Sequence, residues 1–298
     1  LRAKGIEYGS LTVAEKLALI GSSGRGSLEY FPQCVIDGGL PEGEPAILAE
    51  EVRAILQGRF NGDVGKGARL SGASGGARPK VHICHEGREW IVKFGDSHDS
   101  EAVGKMEYQY ALTAAKAGLQ MPETELVEGR YFGVRRFDRD GDGNRLLMLS
   151  AAGLLCGEQG FMLLDYKDLL AATLDLTGDL SEVEKMFRLM CFNVLAKNCD
   201  DHARNFAFLR GGDGRWRVAP GFDLTYAPCL FGRQATTVAG KYAEIGLPEV
   251  LEAASGLNLD PAAARLVWEQ VKTAVEEDRL VYLARDTLAS REAPGSEA

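Results

Sequence analysis

Asp200 and Asn205 stand five positions apart in the run CFNVLAKNCDDHARNFAFL, residues 191–209. Apolar stretches, LMCFNVLA before and FAFL after, hold this polar cluster between buried anchors. The D-x-x-x-x-N spacing suits phosphoryl transfer: the Asp receives the proton of an acceptor hydroxyl, and the Asn amide oxygen reaches a divalent cation. The same spacing also fits a polar turn at a helix end, with side chains bonded to local backbone. Asp223, in Phe222-Asp223-Leu224, follows after FAFLRGGDGRWRVAP, residues 206–220. That stretch reads as a hairpin turning at GGDG, and a hairpin returns the chain, so Asp223 can join Asn205 as a second cation ligand. An Asp capping the turn after Pro220-Gly221 is the plainer alternative.

Three further places belong to the same chemistry. Lys93 ends the apolar strand EWIVKF, 89–94, where an ammonium could meet nucleotide phosphates; a Lys snorkelling from a strand edge is the alternative. Its carboxylate partner should lie on the next helix, which offers Glu101 and Glu107, and Glu107 lies deeper in it. SGASGGARPK, 71–80, is a Gly-rich loop whose backbone N–H groups could approach phosphate oxygens with Lys80 adding charge, or a plain flexible loop. The order is Gly-rich loop, strand Lys, helical Glu, D-x-x-x-x-N, then a metal Asp, which is the order of a bilobal kinase using ATP and Mg²⁺. His82-x-Cys84-His85 lacks a fourth zinc ligand, and on a strand His85 points away from the other two. DRDGDGN, 138–144, has Leu149 where a calcium loop needs its bidentate Glu, so it reads as an acidic turn.

The elements that must position these residues follow from periodicity. Residues 11–20 read as a helix with Thr12 capping and Glu15 behind it, 47–57 as a second amphipathic helix. Residues 81–84 and 89–94 form a hairpin turning at Glu86–Arg88, 101–117 a helix, and 124–128 with 131–137 another strand pair. From about 150 the chain turns helical, at 166–174, 181–197 and 262–289, the last a long helix or helix pair. This predicts an α+β, bilobal protein-kinase-like fold. The expected division is a β-rich N-lobe over 1–137 and an α-helical C-lobe over 138–290, with the ATP site in the cleft and a disordered tail at 291–298.

The 298 residues suit two lobes, and a net charge of -9 argues against a broad basic grip on nucleic acid, so direct nucleic-acid binding is not expected. The six Cys (34, 84, 156, 191, 199 and 229) form no C-x-x-C pair and read as reduced thiols. No signal peptide or membrane-spanning run is evident, which points to the cytoplasm. The chain begins with Leu1 rather than Met, as a trimmed N-terminus would.

The sequence resembles the HipA-like serine/threonine kinases of bacterial toxin–antitoxin systems. GSSGRGSLEYFP (21–32) is similar to that family's IG-x-x-x-x-GAL-x-x-x-P segment, and GGARPK (75–80) to its phosphate loop. GVRRFDR (133–139) resembles its VERFDR hinge, NCDDHARNF (198–206) its TDGHAKNF catalytic loop, and APGFDL (219–224) its PFYDI metal segment. The resemblance implies Asp200 as catalytic base, His202 as support for the loop, and Asn205 and Asp223 as Mg²⁺ ligands. It implies that Lys93, paired with Glu107, and Lys80 with Ser74, Gly75, Gly76, Ala77 and Arg78, bind the ATP phosphates. Backbone at Arg135 and Phe137 would meet the adenine.

The resemblance further implies a cytosolic protein substrate such as an aminoacyl-tRNA synthetase, a small DNA-binding antitoxin as partner, and no membrane partner. Members ordinarily carry a further N-terminal subdomain, which tripartite systems supply as a separate protein. The loop Ser that members autophosphorylate falls at Ala73, leaving Ser71 and Ser74 as nearby acceptors, and Asp201 stands where the family string has Gly. An inactive pseudokinase that docks an antitoxin–DNA complex, and a small-molecule kinase, are the alternative readings.

Overall fold

The computed structural model describes residues 10–22, 24–33, 80–94, 102–155, 164–228 and 233–285. The chain groups into two compact units. The first takes the described residues up to Lys105 together with Glu123–Leu147, and the second takes Met106–Pro122 and the described residues from Met148 onward.

In the first unit, helix α1 (Val13–Ile20) starts where the sequence places it. Thr12 and Glu15 close a capping box in which the Thr12 hydroxyl accepts from the Glu15 amide at 3.3 Å, and Glu15 Oε2 accepts the Thr12 amide at 2.8 Å. The expected helix at 47–57 lies outside the described residues. Strands β1 (Lys80–His85) and β2 (Arg88–Lys93) make the expected hairpin. Its two-residue turn uses Glu86 and Gly87 at φ 50° and 70°, the left-handed pair that suits the twist of antiparallel strands. β3 (Thr124–Val127) and β4 (Tyr131–Arg135) complete an antiparallel sheet in the order β1-β2-β4-β3. Alternation divides its faces. Val81, Ile83, Trp90 and Val92 point to one side and bury themselves with Phe94, Val127 and Tyr131, while Lys80, His82 and Lys93 point to the other.

Helix α2 (Ala102–Lys116) needs Gly104. A Cβ there would lie 1.9 Å from the carbonyl oxygen of Arg130, at the turn between β3 and β4. The residues of α2 from Met106 onward belong to the second unit.

The second unit is built on α5 (Leu180–Leu195), which follows β5 (Leu147–Ser150), α3 (Ala151–Leu155) and α4 (Tyr166–Thr177). Asp179 caps α5 by accepting the Ser181 amide at 2.8 Å. Val183, Met186 and Phe187 are buried on one face, and every residue from Leu189 to Val194 is buried, so α5 hides its whole circumference toward its C-terminal end. Truncating one such aromatic side chain to Ala typically costs about 3–5 kcal/mol. β6 (Ala207–Arg210) and β7 (Trp216–Val218) form the hairpin expected around GGDG, and β5 joins them in a three-stranded sheet.

Helices α6 (Leu247–Ala253) and α7 (Pro261–Glu277) follow, with Pro261 in the first turn of α7 and Asp260 capping it. The chain turns at Asp278 and Arg279 and is helical again over 280–285, so the described part of 262–289 is a helix pair. No helix among the described residues is long and apolar enough to cross a membrane. The architecture is mixed α+β, with a four-stranded antiparallel sheet in the first unit and a helical second unit carrying a three-stranded sheet.

Candidate functional site

α5 delivers the chain to the polar loop. Its last carbonyl, at Ala196, accepts a 2.6 Å bond from the buried Tyr110 hydroxyl of α2, and Lys197 then enters the left-handed region at φ 56° and ends the helix. Next to it, the Asn198 side-chain amide donates to Asn193 Oδ1 at 2.9 Å. The stretch after Asp223 runs alongside: the Cys199 amide donates to the Ala227 carbonyl at 3.1 Å, and the Ala227 amide to the Lys197 carbonyl at 3.2 Å. The β6–β7 hairpin returns the chain, and Ala227 is bonded to the loop on either side of Asn198.

Within the loop, Asp200 and Asp201 face opposite ways. The Asp200 side chain is 66% exposed. Asp201 is 0% exposed. The residues Ala203–Asn205 make one 3₁₀ turn, and the Asn205 amide donates to the His202 carbonyl at 2.8 Å. Asn205 Nδ2 donates to the backbone carbonyl of Asp200 at 2.8 Å. Since the nitrogen of that side chain is occupied there, its oxygen is the atom left to ligate a cation. The His202 ring is exposed, with Nε2 3.9 Å from Asp200 Oδ1, so it supports the loop through its carbonyl rather than through a ring hydrogen bond.

Asp223 sits at φ 52°, a left-handed backbone that only Gly, Asn and Asp enter readily, and this aims the side chain differently from an extended residue. No cluster of three or more His, Cys, Asp or Glu that could hold a metal occurs among the described residues. One carboxylate and one amide oxygen fit a different kind of ion, a hard Mg²⁺ that arrives with nucleotide phosphates and keeps part of its water.

The Asp201 carboxylate is the hub of a buried cluster. Its Oδ1 accepts the backbone amides of Ala235 at 2.9 Å and Thr236 at 3.0 Å, and its Oδ2 accepts the Tyr166 hydroxyl at 2.8 Å. The Thr236 hydroxyl donates to the Asp201 carbonyl. Tyr166 in turn accepts from Asn193 Nδ2 at 2.9 Å. Burial pushes the Asp201 carboxyl up to about 7 in spite of these donors.

The first unit holds Lys80, Lys93, Arg135 and Phe137. Register places Lys80 directly opposite Lys93 on one face of the β1–β2 hairpin. Lys93 Nζ also lies 5.5 Å from the centre of the Phe132 ring. Arg135 closes β4, its amide donating to the Glu123 carbonyl at 2.9 Å, and Phe137 follows between two buried charged residues.

Those two, Arg136 and Asp138, form a forked pair at 2.9 and 2.7 Å. Arg136 also reaches His82 Nδ1 at 3.1 Å, Glu89 at 3.0 Å and the Gly24 carbonyl at 2.8 Å. Asp138 accepts the Gly26 amide at 2.6 Å. Burial would raise the Asp138 carboxyl, but the Arg136 fork, the Gly26 amide and Arg139 together hold it below the usual carboxylate range. Burial, then the charge of Arg136, pushes His82 down to about 3, so the ring is neutral and Nδ1 accepts. The 138–144 turn is an Asx turn, in which Asp140 accepts the amides of Asp142 at 3.0 Å and Asn144 at 2.7 Å.

The described residues therefore bring Asp200 and Asn205 together in one loop and pair Lys80 with Lys93 in register. Glu107 is buried on α2. Ser71, Ser74, Gly75, Gly76, Ala77 and Arg78 lie outside the described residues. Sequence reasoning missed Arg136, Asp138, Tyr166 and Thr236, and noted Asp201 only as a departure from a string. The sole local signal was charge where a strand and a helix end should be apolar, in RRFDR and in the doubled Asp.

Three comparisons bear on this geometry. No curated protein matches the chain. The structure is similar to that of HipA from Shewanella oneidensis MR-1, solved with HipB and its operator DNA. The TM-score is 0.66 at 17% identity, over 97% of this chain and 80% of that one. A weaker likeness is to the Helicobacter pylori proinflammatory kinase CtkA, with a TM-score of 0.43 at 13% identity over 70% of this chain and 94% of that one. The model of the HipA-like C-terminal domain matches residues 72–278, most of the chain, which therefore belongs to the HipA-like C-terminal domain family.

Proposed function

We propose that the chain is an ATP- and Mg²⁺-dependent serine/threonine protein kinase, the toxin of a toxin–antitoxin pair. The observation that carries this is the loop geometry: Asp200 is exposed to solvent while Asn205 hooks its amide nitrogen onto the Asp200 backbone, which leaves its oxygen as the atom to ligate a cation. Asp200 takes the proton of the acceptor hydroxyl as that oxygen attacks the γ-phosphorus, and ADP leaves. Asn205 and Asp223 hold Mg²⁺, which when bound neutralises charge on the phosphates. Lys80 and Lys93 bind the phosphates, with Glu107 as the carboxylate partner of Lys93 and with the loop 74–78 supplying N–H groups. Backbone at Arg135 and Phe137 meets the adenine, and the Arg136–Asp138 pair fixes that backbone from both sides.

The same reading takes a cytosolic protein as substrate, with an aminoacyl-tRNA synthetase as the first to try, and Ser71 or Ser74 as sites of autophosphorylation. The Shewanella protein was solved with HipB and DNA, and a small DNA-binding antitoxin is the corresponding partner here, with or without a separate N-terminal subdomain protein. The test is transfer of labelled γ-phosphate from ATP in a cytosolic lysate, followed by identification of the labelled band. Wild-type protein should label one or a few proteins, and Asp200→Ala and Asp223→Ala should label none while remaining folded. Full transfer by Asp223→Ala would overturn the mechanism.

A further inference from the structure

Resting on that reading, we propose that Asp201 is a positioning residue, which clamps the Ala235–Thr236 segment onto the loop that carries Asp200. Two adjacent residues divide the work. Asp200 faces solvent, whereas the neighbouring Asp201 is fully buried and collects three donors on its two oxygens. Its backbone is held as well: Thr236 donates its hydroxyl to the Asp201 carbonyl, and the Ala235 amide also reaches the Cys199 carbonyl at 3.0 Å. The segment is fixed on its far side too, since the Tyr166 amide donates to the Thr237 carbonyl at 2.8 Å and the Thr237 amide to the Leu164 carbonyl at 2.9 Å.

Three stretches far apart in sequence, at 164–166, 193–201 and 235–237, thus converge on one carboxylate. A catalytic group misplaced by about 1 Å can lose on the order of a hundredfold in rate, so the anchor next to Asp200 has direct leverage on it. Gly at position 201 would supply none of the three side-chain bonds. Asn would keep an oxygen but turn an NH₂ toward a hydroxyl or amide donor.

The test uses the full chain with Mg²⁺ and ATP, measuring ADP formation, affinity for a fluorescent ATP analogue, and amide hydrogen exchange at pH 8. Asp201→Asn should lower kcat tenfold or more, leave the KM for ATP and the analogue affinity within twofold, and speed exchange at Ala235 and Thr236 at least tenfold. Tyr166→Phe retains the carboxylate and should show the same split at a smaller size, about threefold in kcat. It serves if Asp201→Asn fails to fold.

Wild-type kcat in a folded Asp201→Asn protein overturns the proposal. So does a loss of kcat that vanishes at a lower temperature where the variant is fully folded, because that marks a purely structural role. ADP formation by wild type no faster than by Asp200→Ala overturns the kinase reading and the catalytic role with it. The exchange at Ala235 and Thr236 then still reports whether the clamp exists.

Discussion

Asp138 and Asp201 are both buried aspartates, at 5% and 0% exposure, and their carboxyls are driven in opposite directions. Asp138 sits in the fork of a guanidinium, with Arg139 beside it, and remains ionised. Among the described residues, the side-chain oxygens of Asp201 meet neutral donors, two amides and a phenol, and burial wins. Here three neutral hydrogen bonds do not offset the desolvation of Asp201, whereas the bidentate guanidinium and its neighbours do offset that of Asp138. The difference also divides the labour of the two units. The first spends charge to hold the backbone around Phe137, and the second uses a nearly neutral cluster to hold the backbone around Asp200.

The largest break in this comparison is Arg136→Met. It removes the forked guanidinium from the buried Asp138 and leaves Arg139, at 3.2 Å, as the remaining cation beside it, and should destabilise the first unit by about 3 kcal/mol in chemical denaturation. Acid sharpens the contrast next, because the two units should respond with opposite signs. His82 binds a proton in the unfolded chain below its ordinary 6.5 but in the folded one only near 3. The unfolded state therefore holds more protons in that window, and the first unit loses up to about 1.4 kcal/mol per pH unit as pH falls through it. The charged groups that set this value are Arg136, Asp138, Arg25 and Arg139.

Asp201 works the other way. Its folded carboxyl, at about 7, holds a proton that the unfolded one releases down to 3.8, so the second unit gains stability as pH falls across that range. Amide exchange followed from pH 8 to pH 5 should show protection falling around His82 and rising around Asp201. His82→Gln should flatten the first trend and Asp201→Asn the second. Equal slopes in both units would contradict the assignment. Tyr166→Phe should cost about 2 kcal/mol in thermal unfolding, because it removes two buried hydrogen bonds, one to Asp201 and one from Asn193. The smallest effect belongs to Arg217→Ala. Its pair with Asp213 spans 2.5 and 3.1 Å yet is exposed, and its loss should leave the unfolding midpoint unchanged within scatter.

The sequence made the local features legible. The capping box at Thr12, the β1–β2 and β6–β7 hairpins, and the D-x-x-x-x-N loop are all written within a few residues of one another, where period and turn chemistry act directly. The short elements β5, α3 and α6 carry too few turns or alternations to show a period. The supporting clusters were illegible for a different reason. Arg136 finds its partners at His82 and Gly24, and Asp201 finds its own at Tyr166 and Thr236, at separations that no local pattern encodes. The left-handed turn at Lys197 had no Gly to announce it. Of the candidate site, the spacing of Asp200 and Asn205 and the position of Asp223 after the hairpin were visible in the sequence, whereas the buried cluster beside that loop was not.

The backbone at Asp223 has a consequence for descent. If Asp223 serves as the cation ligand proposed above, a position that is left-handed and must also present a carboxylate can lose that chemistry along only a few low-cost routes. Asn keeps the backbone and loses the charge, Gly keeps the backbone and loses the ligand, and Ala or a β-branched residue strains the turn. A silenced copy of this gene under selection to remain folded should therefore carry Asn or Gly at 223. That single position would separate retired copies from working ones in a genome survey before any protein is made.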